Sequence, residues 1–262
     1  MSEFFSTVVQ GVLQGLTEFL PVSSSAHLAI YQHVTSAEGS GLFFDLILHL
    51  STLCATLVYF RKDIVGLLTE FFGGFRALSA PKAEGWYFGW AVIAGSVPTA
   101  AIGLLLEPVV QSAGTSMRFV GSALLMTSAL LLGLHFIPQG AAKIRISIGF
   151  VVGIAQGIAV FPGISRSGIT LAVGLLCGLS AVEAFRFSFL LSLPAIAGAS
   201  LLEMRHSDAF SALPSGSAAA AVVAFAAGLL SLFVLHRTVV AGRWKFFSFY
   251  CAALGLAALL YL

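Results

Sequence analysis

The sequence predicts an all-α polytopic membrane protein, with six transmembrane helices and two re-entrant helical hairpins in an inverted-topology repeat. Three observations predict it. First, the 262 residues are 58% hydrophobic and only 9% charged, whereas a soluble domain carries about 25% charged residues. A chain this poor in charge cannot cover a water-facing surface and must be solvated by lipid. Second, six apolar runs approach the length of about 20 residues that a spanning helix needs. Third, two further apolar stretches are each broken in the middle by Pro, Gly and clustered Ser, and the two resemble each other.

The elements follow in order along the chain. Met1 to His33 is the first broken stretch and reads as two short helices joined at a polar tip. Its start, Met-Ser-Glu-Phe-Phe, has no basic n-region and no small-residue cleavage site, so the first helix is expected to stay in the mature protein. Leu42 to Phe60 is the first full span, and the connection after it holds Arg61, Lys62, Arg76 and Lys82. Trp86 to Leu106 and Phe119 to Ile137 form a pair of spans, followed by Lys143 and Arg145. Ile146 to Leu179 is the second broken stretch. Phe187 to Leu202 and Ser217 to Leu235 make a further pair, Arg237, Arg243 and Lys245 follow, and Phe246 to Leu262 completes the chain.

The positive-inside rule places all three basic connections in the cytoplasm. Between the second and the third lie two clear spans and the broken stretch from Ile146 to Leu179. An even number of crossings is required, so that stretch must enter and leave on one side, as a re-entrant hairpin or as two very short spans. The same reasoning makes the N-terminal stretch re-entrant from the outer face. The formal net charge of +2 is too small to suggest a nucleic-acid partner. Cys54, Cys177 and Cys251 show no C-x-x-C spacing and are expected to be small packing residues.

The two broken stretches carry the repeat. Gly11, Gln14, Gly15 and Phe19 align without gaps on Gly153, Gln156, Gly157 and Phe161, and one deletion then aligns Pro21 with Pro162 and Ser24 with Ser165. Each copy is followed by three spans, which divides a single membrane domain, 1–262, into halves of approximately 1–137 and 138–262. Paired halves of opposite topology, each with an interrupted helix, place a site near the midplane. Gly11 with Gly15, and Gly153 with Gly157, form small-xxx-small faces that let helix backbones approach closely.

Charge inside the membrane costs about 2.5–3.5 kcal/mol on insertion scales and marks a functional candidate. Glu18, His27, Asp45 and Arg166 are the four such residues; the plainer alternative is that they pair to fix helix packing. If each second half-helix begins just after its proline, Ser23, Ser24 and Ser25 stand at one helix N-terminus and Ser165, Arg166 and Ser167 at the other. Free backbone N–H groups and the positive dipole end suit an anion there. The hydroxyls add donors, and Arg166 offers a fork matching two phosphate oxygens. Ordinary N-capping is the simpler role for the serines alone. His27 shares a helix face with Ser23 and Ser24, so it can activate a serine or protonate a leaving phosphate. Glu18, across the tip, can orient His27, act as a base or hold a divalent cation. Asp45 and His49 share a face and either complete the pocket or pair structurally.

The stretch from Gln14 through Glu18, Pro21 and Ser24 to His27 resembles the first signature of the bacterial undecaprenyl-diphosphate phosphatases, the bacitracin-resistance family. Pro162-Gly-Ile-Ser165-Arg166-Ser167-Gly-Ile-Thr170 resembles their second, and Phe44-Asp45-Leu-Ile-Leu-His49 with Tyr59-Phe60-Arg61-Lys62-Asp63 resembles their first full span. The resemblance covers nearly the whole chain. It implies hydrolysis of undecaprenyl diphosphate to undecaprenyl phosphate and inorganic phosphate, which recycles the lipid carrier of cell-wall synthesis and confers bacitracin resistance. It implies a divalent cation, Mg2+ or Ca2+, with Glu18 as its ligand, a bacterial inner-membrane location and a site facing the periplasm. By motif, Glu18 is the acidic site residue, Ser24 and His27 are the candidate nucleophile and its partner, and Arg166 binds phosphate. Ser23, Ser25, Ser165, Ser167 and Thr170 line the phosphate pocket, with Gln14, Asp45 and Gln156 in support. Gln14 stands where some members have a glutamate, which leaves one carboxylate where those have two. The partners are the lipid substrate and membrane lipid, with a homodimer as one assembly and the oligomeric state left open at this level. The competing class is an inverted-repeat transporter or flippase for an anionic isoprenoid lipid, which needs binding and alternating access but no nucleophile. Whether serine, histidine or water attacks phosphorus is open at this level.

Overall fold

Apolar runs interrupted by Gly, Pro and basic residues fold into helices and, among the described residues, into no strand. The structure is a computed structural model describing residues 2–35, 42–76, 83–114, 116–138, 140–206 and 213–262. Met1 and Lys82, both used in the sequence reading, lie outside the described residues. The helices are α1 (Glu3–Phe19), α2 (Ser24–Thr35), α3 (Leu42–Tyr59), α4 (Arg61–Arg76), α5 (Glu84–Gly114) and α6 (Met117–Gly133). A 3-10 turn at Leu134–Phe136 closes the first half. Then come α7 (Ile146–Ile158), α8 (Arg166–Leu176), α9 (Ala181–His206), α10 (Ser217–Val240) and α11 (Lys245–Tyr261).

Among the described residues, four segments are long and apolar enough to cross a membrane: Glu84–Val110, Met117–Phe136, Ala181–Leu202 and Ser217–Val240. A fifth arises if α3 and α4 count as one span, but the two are bent by 74°. The sixth expected span, α11, has 17 residues and ranks with the shorter apolar helices. Large apolar side chains such as Leu105, Val222, Leu230 and Phe246 point outward. In water that would be a liability; a bilayer solvates them. The protein is therefore a multi-pass membrane protein.

Two differences from the sequence reading have local causes. The connection after Phe60 is not plain loop: residues 61–76 form α4, whose Phe71 and Phe75 pack on Trp86 at ring distances of 5.6 and 4.7 Å. Apolar residues spaced between Lys62, Asp63 and Glu70 give a helix that lies across the end of α5. Likewise α9 begins at Ala181 rather than Phe187, because Arg186 is neutralised there by Asp63 at 2.9 Å and Glu84 at 3.1 Å. That ion cluster joins the starts of α4, α5 and α9 at one end of the molecule, beside a polar cavity of about 260 Å³.

Both broken stretches fold back on themselves. Ser6 Oγ meets Tyr31 Oη at 3.0 Å, which ties the start of α1 to the end of α2. The Ala142 N–H donates to the Gly178 carbonyl oxygen at 2.9 Å, so the end of α8 returns to the segment that leads into α7. Each first half-helix then packs on a span from the opposite half: α1 lies along α10 and α7 along α5. Three further contacts fit the same pattern, with α3 on α10, α9 on α5, and α6 against α11. The expected small-residue face on α1 makes a close approach. On α7 the face is instead Gly149 with Gly153, because Gly157 meets the side chain of Ile102 and not a helix backbone. A Cβ on Gly11 or Gly15 would collide with the carbonyl oxygens of Ala220 and Ala224, and one on Gly149 or Gly153 with those of Ala91 and Gly95. An aromatic core of Phe19, Phe60, Phe185 and Phe189 fills the space beneath the first tip.

Candidate active site

The second half-helices begin where their sequence starts them, α2 at Ser24 and α8 at Arg166. Ser165 caps α8, its Oγ accepting the Gly168 N–H at 3.1 Å. At the first tip the chain reverses at Ser23, whose φ of +66° is a left-handed conformation that non-glycine residues rarely adopt. At the second tip Gly163, with φ of +99°, makes the turn. Proline explains the offset: Pro21 cannot take positive φ, so the reversal moves to Ser23, whereas Pro162 stands one place earlier and leaves Gly163 free to turn.

Hydrogen bonding corrects the register of the repeat. The Ser23 and Ser25 hydroxyls meet at 3.2 Å, and those of Ser165 and Ser167 at 3.3 Å. These pairs are equivalent when Ser23 matches Ser165, which continues the ungapped register of Gly11 on Gly153. No deletion is needed, and Ser24 corresponds to Arg166 rather than to Ser165. The prolines, which suggested the gap, are simply not equivalent.

In that register the two equivalent residues converge on one carboxylate. Ser24 Oγ donates to Glu18 Oε2 at 2.7 Å, and the Arg166 guanidinium pairs with Glu18 Oε1. Gln14 Nε2 adds a third bond, to Oε2, at 3.0 Å. The Glu18 side chain is 6% exposed and that of Arg166 19%, so the pair sits at the inner edge of an opening. The tips are bound to each other directly: the Gly163 N–H donates to Ser23 Oγ at 3.1 Å, and Ser167 Oγ to the Leu20 carbonyl oxygen at 3.4 Å.

Other predicted residues hold this arrangement. Ser165, Ser167 and Thr170 are buried and bonded within the protein; Thr170 Oγ1 donates to the Arg166 carbonyl oxygen at 2.8 Å and meets Ser188 Oγ. Ser25 is exposed and Ser24 half-buried, so the accessible donors are those two and Arg166. Gln156, the counterpart of Gln14, has its amide nitrogen 3.3 Å from Thr99 Oγ1 and 3.4 Å from the Leu191 carbonyl oxygen. His49 Nδ1–H donates to the backbone carbonyl of Asp45 at 2.8 Å, so that pair meets through the main chain. The Ser24–His27 pair expected from helix spacing does not form here, because Ser24 is taken by Glu18 and both ring nitrogens of His27 are engaged elsewhere. Nδ1–H donates to the Ser23 carbonyl oxygen at 2.8 Å, and Nε2 lies 2.6 Å from Tyr250 Oη.

Two residues of the site escaped the sequence reading. Thr127 of α6 donates to the Gly163 carbonyl oxygen at 2.9 Å and accepts the Ser165 N–H at 3.1 Å, which satisfies backbone groups of the second tip. Tyr250 of α11 is the partner of His27. Each is one of several hydroxyls in its helix, beside Ser122 and Ser128 in α6 and Ser248 in α11, so nothing in the sequence singled it out.

Among the described residues, no three of His, Cys, Asp and Glu are grouped as a metal cage. Gln14 Oε1 is buried without a hydrogen-bond partner, and its amide lies against the Glu18 carboxylate. One carboxylate and one amide oxygen fit a hard cation that completes its shell with water and phosphate oxygens, as Mg2+ and Ca2+ do.

Fold and site define an all-helical, multi-pass membrane protein with a buried carboxylate shared by a hydroxyl and a guanidinium at paired helix breaks. The family described as Bacitracin resistance protein BacA matches residues 7–257, and the chain belongs to it. It is 41% identical over 98% of both chains to a protein of Desulforapulum autotrophicum named undecaprenyl-diphosphatase. Relatives of the same name in Desulfosudis oleivorans, at 43% over 95% of this chain and 94% of theirs, and Korarchaeum cryptofilum, at 37% over 98% of both, extend the likeness.

Proposed function

We propose that the protein hydrolyses undecaprenyl diphosphate to undecaprenyl phosphate and inorganic phosphate at the junction of the two tips. The observation that carries this reading is Glu18 bonded at once to Ser24 Oγ and to Arg166. A carrier needs no hydroxyl on a carboxylate, and the names of the relatives match a hydrolase.

Glu18 Oε2 is placed to take the Ser24 proton as Oγ attacks the terminal phosphorus. The Oγ–P bond forms as the bridging P–O bond breaks, and undecaprenyl phosphate leaves. Water then attacks the phosphoserine and its P–Oγ bond breaks; Glu18 returns the proton to Ser24 Oγ, and inorganic phosphate leaves with the protons of the water. Arg166 has five N–H donors, so it can hold Glu18 and a phosphoryl oxygen together, and the N-termini of α2 and α8 add positive potential. Glu18 and Gln14 would hold a divalent cation, which when bound would neutralise charge on the diphosphate.

The same reading includes the topology: six spans and two opposed re-entrant hairpins, in inverted halves of approximately 1–137 and 138–262. The matched helix contacts and the fold-back of each hairpin support it. The basic connections then face the cytoplasm, and the site opens to the periplasmic side of a bacterial inner membrane.

The test is phosphate release from C55 or C15 diphosphate by protein purified in detergent, with Mg2+ or Ca2+ present. The wild type releases phosphate, and Ser24→Ala or Glu18→Gln lowers the rate by about 10²- to 10⁴-fold. No release by the wild type would overturn the function. Acid quench distinguishes the nucleophile: an acid-stable phosphoserine is expected, and an acid-labile phosphohistidine would assign His27 instead.

A further inference from the structure

The imidazole of His27 is held at both of its nitrogens. Its Nδ1 lies 2.8 Å from the carbonyl oxygen of Ser23, the residue on which the first tip reverses. A carbonyl oxygen can only accept, so Nδ1 carries the proton and Nε2 presents a lone pair in the neutral ring. That lone pair faces Tyr250 Oη at 2.6 Å, and the two rings lie parallel within 5° with centroids 5.6 Å apart. His27 is buried, whereas Tyr250 is 47% exposed on α11, in the last span of the second half. No other bond crosses from α11 to a polar side chain of the first tip's second half-helix among the contacts described.

With Nδ1 committed to the main chain, every proton that His27 accepts or donates must pass at Nε2. With the Nδ1 bond alone, the ring is still able to tilt about the line from Nδ1 to the Ser23 oxygen. We propose that Tyr250 is a positioning residue for His27: its O–H donates to Nε2, which fixes the tilt of the ring and holds the lone pair in place until a phosphoryl oxygen or water takes the place of the phenol. This rests on the hydrolytic reading above and adds to it His27 as a proton carrier through Nε2, beside Glu18 and Ser24. It gives α11 a task in the chemistry, since the first tip supplies His27 and the opposite half supplies the group that orients it.

The test is Tyr250→Phe, which keeps the stacked ring and removes only the hydroxyl. With C15 diphosphate, kcat is expected to fall about tenfold, the scale of one lost hydrogen bond, while KM changes less than twofold. A second measurement needs no turnover. In imidazole-labelled protein, the His27 Nε2 nitrogen resonance of Tyr250→Phe should move towards that of a nitrogen accepting no hydrogen bond, with Nδ1 still protonated and other histidine signals unchanged. An unchanged Nε2 resonance, or unaltered kcat beside active wild type, overturns the proposal. If the wild type releases no phosphate the hydrolytic reading falls, and the nitrogen resonance still decides whether Tyr250 holds His27.

Discussion

Glu18 is a carboxylate buried in a membrane protein, a placement that is costly unless its charge is matched and its oxygens accept hydrogen bonds. Arg166, Ser24 and Gln14 do both. They come from three different half-helices, so the charge is stable only where the tips meet. The guanidinium fork matters because its donors are fixed in a plane and can serve carboxylate and phosphate together. Lysine keeps the charge but concentrates it at one point. Arg166→Lys is therefore expected to lower kcat/KM by about a hundredfold, on the scale of losing an oriented donor to the reacting phosphate. The steady-state rate with C15 diphosphate checks it, and wild-type kinetics in Arg166→Lys would show that charge alone suffices. Ser23 shows the same economy of position: one residue makes the left-handed turn, accepts from Gly163 and supplies the carbonyl that fixes His27.

At the scale of elements, glycine decides how near the half-helices come to their partner spans. Gly153 lies on α7 where its Cα faces the Gly95 carbonyl of α5, and a side chain there must push the helices apart. Gly153→Leu is expected to cost about 1–3 kcal/mol or more through overpacking, seen as a lowered thermal midpoint in detergent. Gly73 on α4 has nothing within 4 Å of a built Cβ. Gly73→Ala should leave the midpoint unchanged or raise it, since alanine favours the helix by about 1 kcal/mol. Equal midpoints for the two variants would mean that the α5–α7 approach does not limit stability. The repeat extends this packing to both halves, yet the acid exists once: Val160 stands in the second copy where the first has Glu18. A second carboxylate would face no second arginine, because Ser24 occupies the position equivalent to Arg166.

For the whole molecule, opposite hairpins must open to opposite faces if the halves are inverted. Val34 is 62% exposed near the end of α2, and Ala142 is exposed beside the return of α8. In a Cys54→Ser background, a membrane-impermeant maleimide added to intact cells is expected to label Val34→Cys at once and Ala142→Cys only after permeabilisation. Labelling of both from the same side would refute the inverted arrangement. The Arg186 cluster agrees with it from inside the structure. By joining α4, α5 and the start of α9, it places the exit from the second hairpin at the end where Arg61 and Lys62 stand.

Much of this was legible in the residues. Hydropathy and the scarcity of charge determined a lipid-solvated helical protein, because burial of backbone polar groups leaves few other choices. Gly, Pro and Ser clusters located the two breaks and with them Ser24, and charge marked Glu18, His27, Asp45 and Arg166, since charge in lipid is too costly to be idle. Helical spacing could not say which of these would touch. It paired Ser24 with His27 on one face, whereas the fold brings Glu18 and Arg166 to Ser24 and sends Tyr250 to His27. Those partners are separated by long stretches of chain, so their contacts depend on how α1, α8 and α11 pack. Tertiary structure alone also set the repeat register and the bend into α4, because both arise from contacts between helices rather than from the period of any one of them.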